Sequence, residues 1–479
     1  MSSEVTLPLI WPVACHTNFV GKNSTFVAIK GQQEDGINYV PLALQKGART
    51  IVAEYTAHID QRILDSIKMA EAQLVFVPNA RRSLALLAAN AWQNPAQKLK
   101  IIALTGTKGK TTTAWLLHHI LQKSGYKSAL LSTVKNKIGD QEFPTQLTTQ
   151  HPDYLHAFFH ACVRAKTEYV IMEVAAQAAS LHRIAGLEFD GLIFTNFAPA
   201  HGEFYATTQD YFDAKVAIIN QCASHASLVI NADDAKGAEL AKNYPEATSF
   251  GSSSSGIRLL RFKADRNGIW ACLEIEGVPH EFSCPSLLGL FNVYNSMAAI
   301  TMALQLGISW DIIQNGLATF TGVPGRLEKY VLPNGAQCVI DYAHNPLAFR
   351  ALLPELRSLT DHLIVVAGAG GDRDKAMRSE LGYILSQYAD QIILTSDNPR
   401  SENPADIIAA VYAGVPEDKK DIVTCEIDRQ RAIQKAYSKS GPTSIIALLG
   451  KGPEQYQIIG TARIPFSERA IVQSLSLVF

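Results

Sequence analysis

A short β-branched run, Leu99–Thr105 (LKIIALT), ends directly in a glycine-containing turn, Thr105–Thr111 (TGTKGKT), and Lys110–Ser124 follows with helical spacing. No other segment limits the possible folds of this chain so strongly. A strand that enters a helix through glycines exposes several backbone N–H groups at the positive end of that helix. The glycines let anionic oxygens approach the main chain closely. Gly106, Thr107, Lys108 and Gly109 would line such a cradle, with Lys110 reaching outer phosphates, Thr111 offering a hydroxyl to Mg²⁺ and Thr112 adjoining it. The fit to the full GxxxxGK[ST] pattern is incomplete, because Leu104 stands at the first glycine position. The turn predicts a nucleotide phosphate site on an α/β scaffold and leaves the reaction open.

The rest of the chain agrees with that scaffold. At 479 residues it exceeds what one hydrophobic core usually holds. Three α/β segments are expected: an N-terminal domain over 1–97, a central nucleotide-binding domain over 98–325 and a C-terminal Rossmann-like domain over 326–479. In the first, strand-like Ser24–Ile29, Thr50–Ala53 and Leu74–Val77 alternate with helix-like Val40–Lys46 and Ala80–Asn94. Gln93–Lys98, with an internal proline, reads as a linker. In the second, strand-length runs recur at Ser128–Ser132, Tyr169–Val174, Gly191–Thr195 and Leu228–Asn231, which predicts a largely parallel sheet covered by helices. Thr321–Arg326 (TGVPGR) marks a hinge, and Gln337–Asp341, His362–Ala367, Gln391–Thr395 and Ser444–Leu449 repeat the rhythm beyond it.

Charge and composition exclude several partners. The net charge of −1 gives no basic excess for nucleic acid and no polybasic tail for a membrane surface. The longest apolar runs are strand-sized, too short to span a bilayer. Met1–Val5 lacks a basic region followed by an apolar core, so no signal peptide is expected. Seven scattered cysteines without a CxxC pair predict reduced thiols in a cytoplasmic protein, expected to be a monomer.

Nine short fragments then occur in a characteristic order. They are the phosphate turn, Met172–Val174, Thr195-Asn196, His201, Tyr211–Lys215 (YFDAK), Asn231–Asp234 (NADD), Gly289–Asn295 (GLFNVYN), Gly325-Arg326 and Asp341–Asn345 (DYAHN); Asp397–Arg400 (DNPR) lies beyond them. Together they resemble the Mur ligases, which build the peptide stem of bacterial peptidoglycan. The resemblance extends over essentially the whole chain. Gly370–Lys375 (GGDRDK), DNPR and Gly450–Tyr456 (GKGPEQY) resemble the subgroup that adds the third residue, joining a diamino acid to UDP-N-acetylmuramoyl-L-Ala-D-Glu.

The resemblance implies an ATP- and Mg²⁺-dependent amide ligase working through an acyl phosphate. Lys110, Glu173, His201 and Lys215 are the implied catalytic set; Thr111, Glu173, His201 and Lys215 are the implied metal set. In the family the lysine matching Lys215 is carbamylated; from the residues alone it reads as a surface helix lysine. Asn292 and Asn295 read as helix caps, and the resemblance implies adenine contact. Arg326 is a fork-shaped donor suited to a γ-phosphate, and Asp341 and His344 lie at a strand end where α/β sheets present ligand groups. On the acceptor side the implied residues are Thr17, Thr148, Thr149 and Arg183.

The amine side is carried by Arg378, Asp397, Asn398, Arg400, Gly450 and Glu454. An arginine fork recognises a carboxylate by paired hydrogen bonds, so Arg400 predicts meso-diaminopimelate, whose second amino-acid head carries one, with Glu454 pairing its ammonium. The chain departs from the family pattern elsewhere. Ala200 replaces an Asp, Ala175-Ala176-Gln177 replaces a Ser-Ser-His stretch, Pro453 replaces a His, His16-Thr17-Asn18 replaces Asp-Ser-Arg, and Lys108 replaces a common Asn. These changes keep two alternatives open: L-lysine or a different acceptor outside the cell wall, and a catalytically weak nucleotide-binding homologue.

Overall fold

The computed structural model describes residues 5–31 and 34–475. Three sheets organise it. The first is wholly parallel and joins β1 (Val13–Ala14), β2 (Thr25–Val27), β3 (Thr50–Glu54) and β4 (Gln73–Val77) in that order. Helices Val40–Gln45, Gln61–Met69 and Ala80–Ala91 connect and cover these strands, the last two capped by Asp60 and Asn79 side chains. The Gln93–Lys98 stretch becomes a single 3₁₀ turn at Pro95–Lys98, entered through Asn94 in the left-handed region.

The central sheet is built on β5 (Lys100–Thr105), β6 (Ser128–Leu131), β7 (Asn136–Ile138), β8 (Gln141–Phe143), β9 (Tyr169–Glu173), β10 (Phe189–Phe194), β11 (Cys222–Asn231) and β12 (Thr248–Gly251). Its order, β12-β11-β10-β5-β9-β6-β7-β8, puts β5 at the middle. From β12 to β6 every pairing is parallel. Buried strands of this kind need near-continuous apolar sequence, and β5, β6, β9 and β10 have it. The β7–β8 hairpin pairs antiparallel, a departure from the parallel pattern expected. Beyond β12 come β13 (Ile257–Asp265), which starts parallel to β12, then β14 (Gly268–Ile275) and β15 (Val278–Cys284). β13 alternates irregularly and leaves Arg258, Leu260 and Phe262 exposed, so neither its period nor its apolar content announces a buried strand.

The third sheet runs β16-β17-β21-β18-β19-β20, from β16 (Glu328–Val331), β17 (Gln337–Asp341), β18 (His362–Ala367), β19 (Gln391–Leu394), β20 (Val423–Cys425) and β21 (Ser444–Leu449). Only the edge strand β16 is antiparallel. β21 is fully buried at its centre. A small antiparallel pair, β22 (Tyr456–Ile459) and β23 (Ala462–Pro465), follows.

By packing, the described chain falls into two compact units. One takes residues 1–260, 273–280 and 294–316; the other takes 261–272, 281–293 and 317–479. The first sheet and strands β5 to β12 of the second lie in the first unit, where the backbone N–H of Cys15 donates to Asp153 Oδ2 (2.9 Å) and ties the N-terminal domain to the central one. Among the described residues all seven cysteines are free, and no helix is long and apolar enough to cross a membrane.

Candidate active site

In the first unit the phosphate turn leaves the buried C-terminal end of β5 through two glycines in the left-handed half of backbone space. Gly106 has φ +142 and Gly109 φ +85. A Cβ on Gly106 would stand 2.0 Å from Thr195 Oγ1, and one on Gly109 would stand 2.2 Å from Asn295 Oδ1. Both positions therefore require glycine on two counts, conformation and space. The turn is braced from β10: Thr107 N donates to Asn196 O (2.9 Å), Lys108 N to Asn196 Oδ1 (2.9 Å), and Thr195 Oγ1 to Lys108 O (2.7 Å).

Two ammonium groups converge on one carbonyl of this turn. Lys110 Nζ donates to Gly106 O at 2.7 Å, and Lys215 Nζ donates to the same oxygen at 2.8 Å. Lys215 is buried and lies 4.6 Å from the Tyr211 ring centre. Burial, reinforced by the charge of Lys110, lowers its pKa to about 6. The surface lysine read from the sequence is thus an interior one, because the helix Thr208–Ile219 turns that face toward the phosphate turn.

On the opposite side of β5, β9 ends in Glu173, which is fully buried. Its carboxylate accepts from Thr111 Oγ1 (3.0 Å), Thr133 Oγ1 (3.0 Å) and Thr133 N (2.9 Å). Thr133 Oγ1 also lies 3.1 Å from Thr148 Oγ1, and Thr149 Oγ1 donates to the Glu173 carbonyl (3.0 Å). Arg183 Nη1 in turn donates to Thr149 O (2.8 Å). Thr111, Glu173, Thr133, Thr148, Thr149 and Arg183 thus form one connected network.

His201 stands apart from Glu173 in this network. It is exposed, has φ +59, bonds Glu203 through Nδ1 (3.0 Å) and meets the Tyr211 ring edge-on at 5.4 Å. Thr17 is buried in a 3₁₀ turn, its carbonyl accepting from Lys46 Nζ (2.8 Å). Thr133 carries this site without having been singled out by sequence. Its signal is positional: it lies two residues past β6, the strand beside β9.

In the second unit Arg326 lies 5.2 Å from the Tyr342 ring centre, with its Nε buried and unpartnered. Asp341 accepts from Leu327 N (2.9 Å) and Ala343 N (2.8 Å). Burial raises the Asp341 pKa, and Arg326 opposes the rise. His344 is exposed, with Nδ1 against Tyr342 O (2.7 Å). Asn292 Nδ2, in the first turn of Leu290–Gln305, donates to Leu288 O (2.8 Å).

The residues of GGDRDK, DNPR and GKGPEQY also converge in this unit. Arg378 is buried, and both its terminal nitrogens bind Glu402 (2.9 and 2.8 Å). That hydrogen-bonded pairing holds the Glu402 carboxyl down to about 2. Arg400, at φ +51, sends Nη1 to Gly371 O (2.5 Å). Asn398 Nδ2 donates to Glu454 Oε2 (2.9 Å), and Gly450 approaches Asp397 so closely that a Cβ would lie 2.3 Å from Oδ2. Glu402 and Lys451 are the partners that sequence reasoning left without a role.

Two family models match the sequence that builds these sites. The Mur ligase middle domain matches residues 104–303, and the Mur ligase glutamate ligase domain matches residues 325–452. A UDP-N-acetylmuramoyl-L-alanyl-D-glutamate--2,6-diaminopimelate ligase of Clostridium perfringens is 34% identical over 466 residues, 95% of this chain and 93% of its own. The chain belongs to the Mur ligase family. The Aquifex aeolicus enzyme of the same name is 34% identical over 99% of this chain and 95% of its own. Among solved Mur ligases, a 2,6-diaminopimelate ligase structure has a TM-score of 0.68 at 24% identity, covering 97% of this chain and 94% of the other. A MurF ligase from Thermotoga maritima in complex with ADP has a TM-score of 0.61 at 19% identity, covering 98% and 96%. These two share the three-domain α/β fold expected from the sequence.

Proposed function

We propose that this Mur ligase uses ATP to join meso-diaminopimelate to UDP-N-acetylmuramoyl-L-Ala-D-Glu in peptidoglycan precursor synthesis. The observation that carries the choice of amine is Arg400, anchored on Gly371 O through one nitrogen and keeping the rest of its fork for a carboxylate. The named relatives, which match nearly end to end, support the same reading.

In the proposed reaction the acceptor carboxylate attacks the γ-phosphorus and ADP leaves, giving an acyl phosphate. The amine then attacks the acyl carbon, phosphate leaves, and the amide forms. The turn's N–H groups hold the phosphates, and Lys110 exchanges Gly106 O for a phosphate oxygen. Arg326 supplies a second fork for the γ-phosphate, while Asn292, Asn295, Asp341 and His344 serve the nucleoside. Thr148, Thr149 and Arg183 hold the acceptor.

Thr111 Oγ1 and a Glu173 oxygen are hard donors already 3.0 Å apart, which fits Mg²⁺. Among the described residues no group of three or more His, Cys, Asp or Glu side chains forms a metal cage, so ATP oxygens would complete the set. Mg²⁺, when bound, neutralises phosphate charge. Lys215 fits as a ligand only after its neutral amine adds CO₂ and loses a proton, and its lowered pKa favours that addition.

A second reading keeps the ATP chemistry and changes the acceptor. Ala176, in place of a serine, packs with Tyr205 and Tyr211 in a cluster and brings no side-chain hydrogen-bonding group of its own to an acceptor. Phosphate release from ATP with UDP-N-acetylmuramoyl-L-Ala-D-Glu, comparing meso-diaminopimelate with L-lysine, tests both readings. Stimulation by diaminopimelate is expected; no stimulation by either amine would transfer support to the different acceptor.

A further inference from the structure

Lys451 is the one fully buried ammonium among the described residues of the second unit that no step above uses. It follows Gly450 at the end of the central strand β21. Its Nζ donates to Asn398 Oδ1 (2.8 Å) and Glu454 Oε2 (2.6 Å), and lies 5.5 Å from the Tyr456 ring centre. The strand end beneath it is fixed: Arg429 Nη2 donates to Leu449 O (2.7 Å) while Arg429 Nε pairs with the buried Glu468 (2.9 Å).

The bonds around Lys451 leave a specific remainder. Asn398 is consumed, since Oδ1 also accepts from Ile458 N (2.9 Å) and Nδ2 goes to Glu454 Oε2 (2.9 Å). Glu454 therefore has both structural bonds on one oxygen, and its Oε1 makes no hydrogen bond among the described residues. Arg378 is closed on Glu402. What stays open to a ligand is one carboxylate oxygen and the free part of the Arg400 fork.

We propose that Lys451 is a positioning and specificity-determining residue. It locks Glu454 so that one oxygen faces the incoming side chain, and it offsets the Glu454 charge so that a zwitterionic head is favoured over a bare ammonium. A zwitterion brings an ammonium for Glu454 and a carboxylate for Arg400, and its own charges cancel beside the buried Lys451. The terminal ammonium of L-lysine brings an uncompensated positive charge to a carboxylate already paired with one. It also leaves Arg400 without an anion. Selectivity of this sort comes as much from the penalty on the wrong ligand as from contacts with the right one.

This inference rests on reading the amine as meso-diaminopimelate, and one set of assays separates the two. Steady-state kinetics of wild type, Lys451→Met, Glu454→Gln and the double variant are measured with each amine at saturating ATP and acceptor. Lys451→Met is expected to raise KM for meso-diaminopimelate at least tenfold and to cut its kcat/KM advantage over L-lysine at least tenfold. KM for ATP should stay within twofold. If Lys451 acts through Glu454, the double variant should be no worse than Glu454→Gln alone. An unchanged amine preference in Lys451→Met, or additive losses in the double variant, overturns the proposal. A parallel loss in ATP KM and thermal midpoint would mark Lys451 as merely structural and overturn it too. If wild type turns over with neither amine, the reading of the amine falls and the selectivity falls with it.

Discussion

The phosphate turn and the DNPR pocket both gather charge at strand ends, yet they hold it differently. In the phosphate turn Lys110 and Lys215 both donate to the neutral carbonyl of Gly106, and Lys110 also reaches Thr107 O (3.2 Å). In the pocket three cations are already matched, Arg378 with Glu402, Lys451 with Glu454 and Arg429 with Glu468, while Arg400 keeps part of its fork open. The first arrangement suits a highly charged ligand that supplies its own anions. The second suits a ligand with little net charge, for which fixed geometry counts more than field strength.

The contrast can be broken at several points. Arg429→Met should be the most damaging to folding, because it leaves Glu468 buried and unpaired. A loss of about 3–5 kcal/mol in urea unfolding is expected, and a loss under 1 kcal/mol would show the pocket's pairs to be dispensable. Lys110→Ala should reduce turnover with either amine about a thousandfold, or about 4 kcal/mol, with stability nearly unchanged. Near-normal phosphate release would remove the phosphate role from this turn.

Arg400→Ala should raise KM for meso-diaminopimelate about a hundredfold, about 2.7 kcal/mol, and leave KM for ATP within twofold. Equal losses for both ligands would erase the distinction between the two sites. The smallest effect per step is pH-dependent. Lys215 has its pKa lowered to about 6 in the folded chain against an ordinary value of 10.5. Between those values the unfolded chain holds a proton that the folded one lacks, so stability should rise with pH across that window. Measured without CO₂, wild type should gain on Lys215→Met by at most about 1.4 kcal/mol per pH unit. A flat difference would mean that Lys215 is solvated or already modified.

Legibility in the sequence followed distance along the chain. The turn at 105–111 was readable because strand, glycines and helix are contiguous, and each glycine is demanded by its own backbone angle. Glu173 was readable as the last residue of an apolar strand. Its bonds to Thr111 and Thr133 were not, because they depend on β9 lying beside both β5 and β6. Strands β7, β8 and β13 were not legible for a different reason. β7 and β8 have only three residues each and β13 interleaves Arg and Lys with its apolar residues, so none presents the apolar run that marks a buried strand.

The sequence by itself determined the α/β class, the phosphate turn and the Mur ligase resemblance, since these reside in local patterns and in the order of short motifs. Tertiary structure alone decided that Lys215 is an interior amine, that Arg378 is closed by Glu402, and that Lys451 is buried against Glu454. The physical reason is common to all three. A charged side chain's state depends on its desolvation and its partner, and both are supplied by residues that only folding brings within 3 Å.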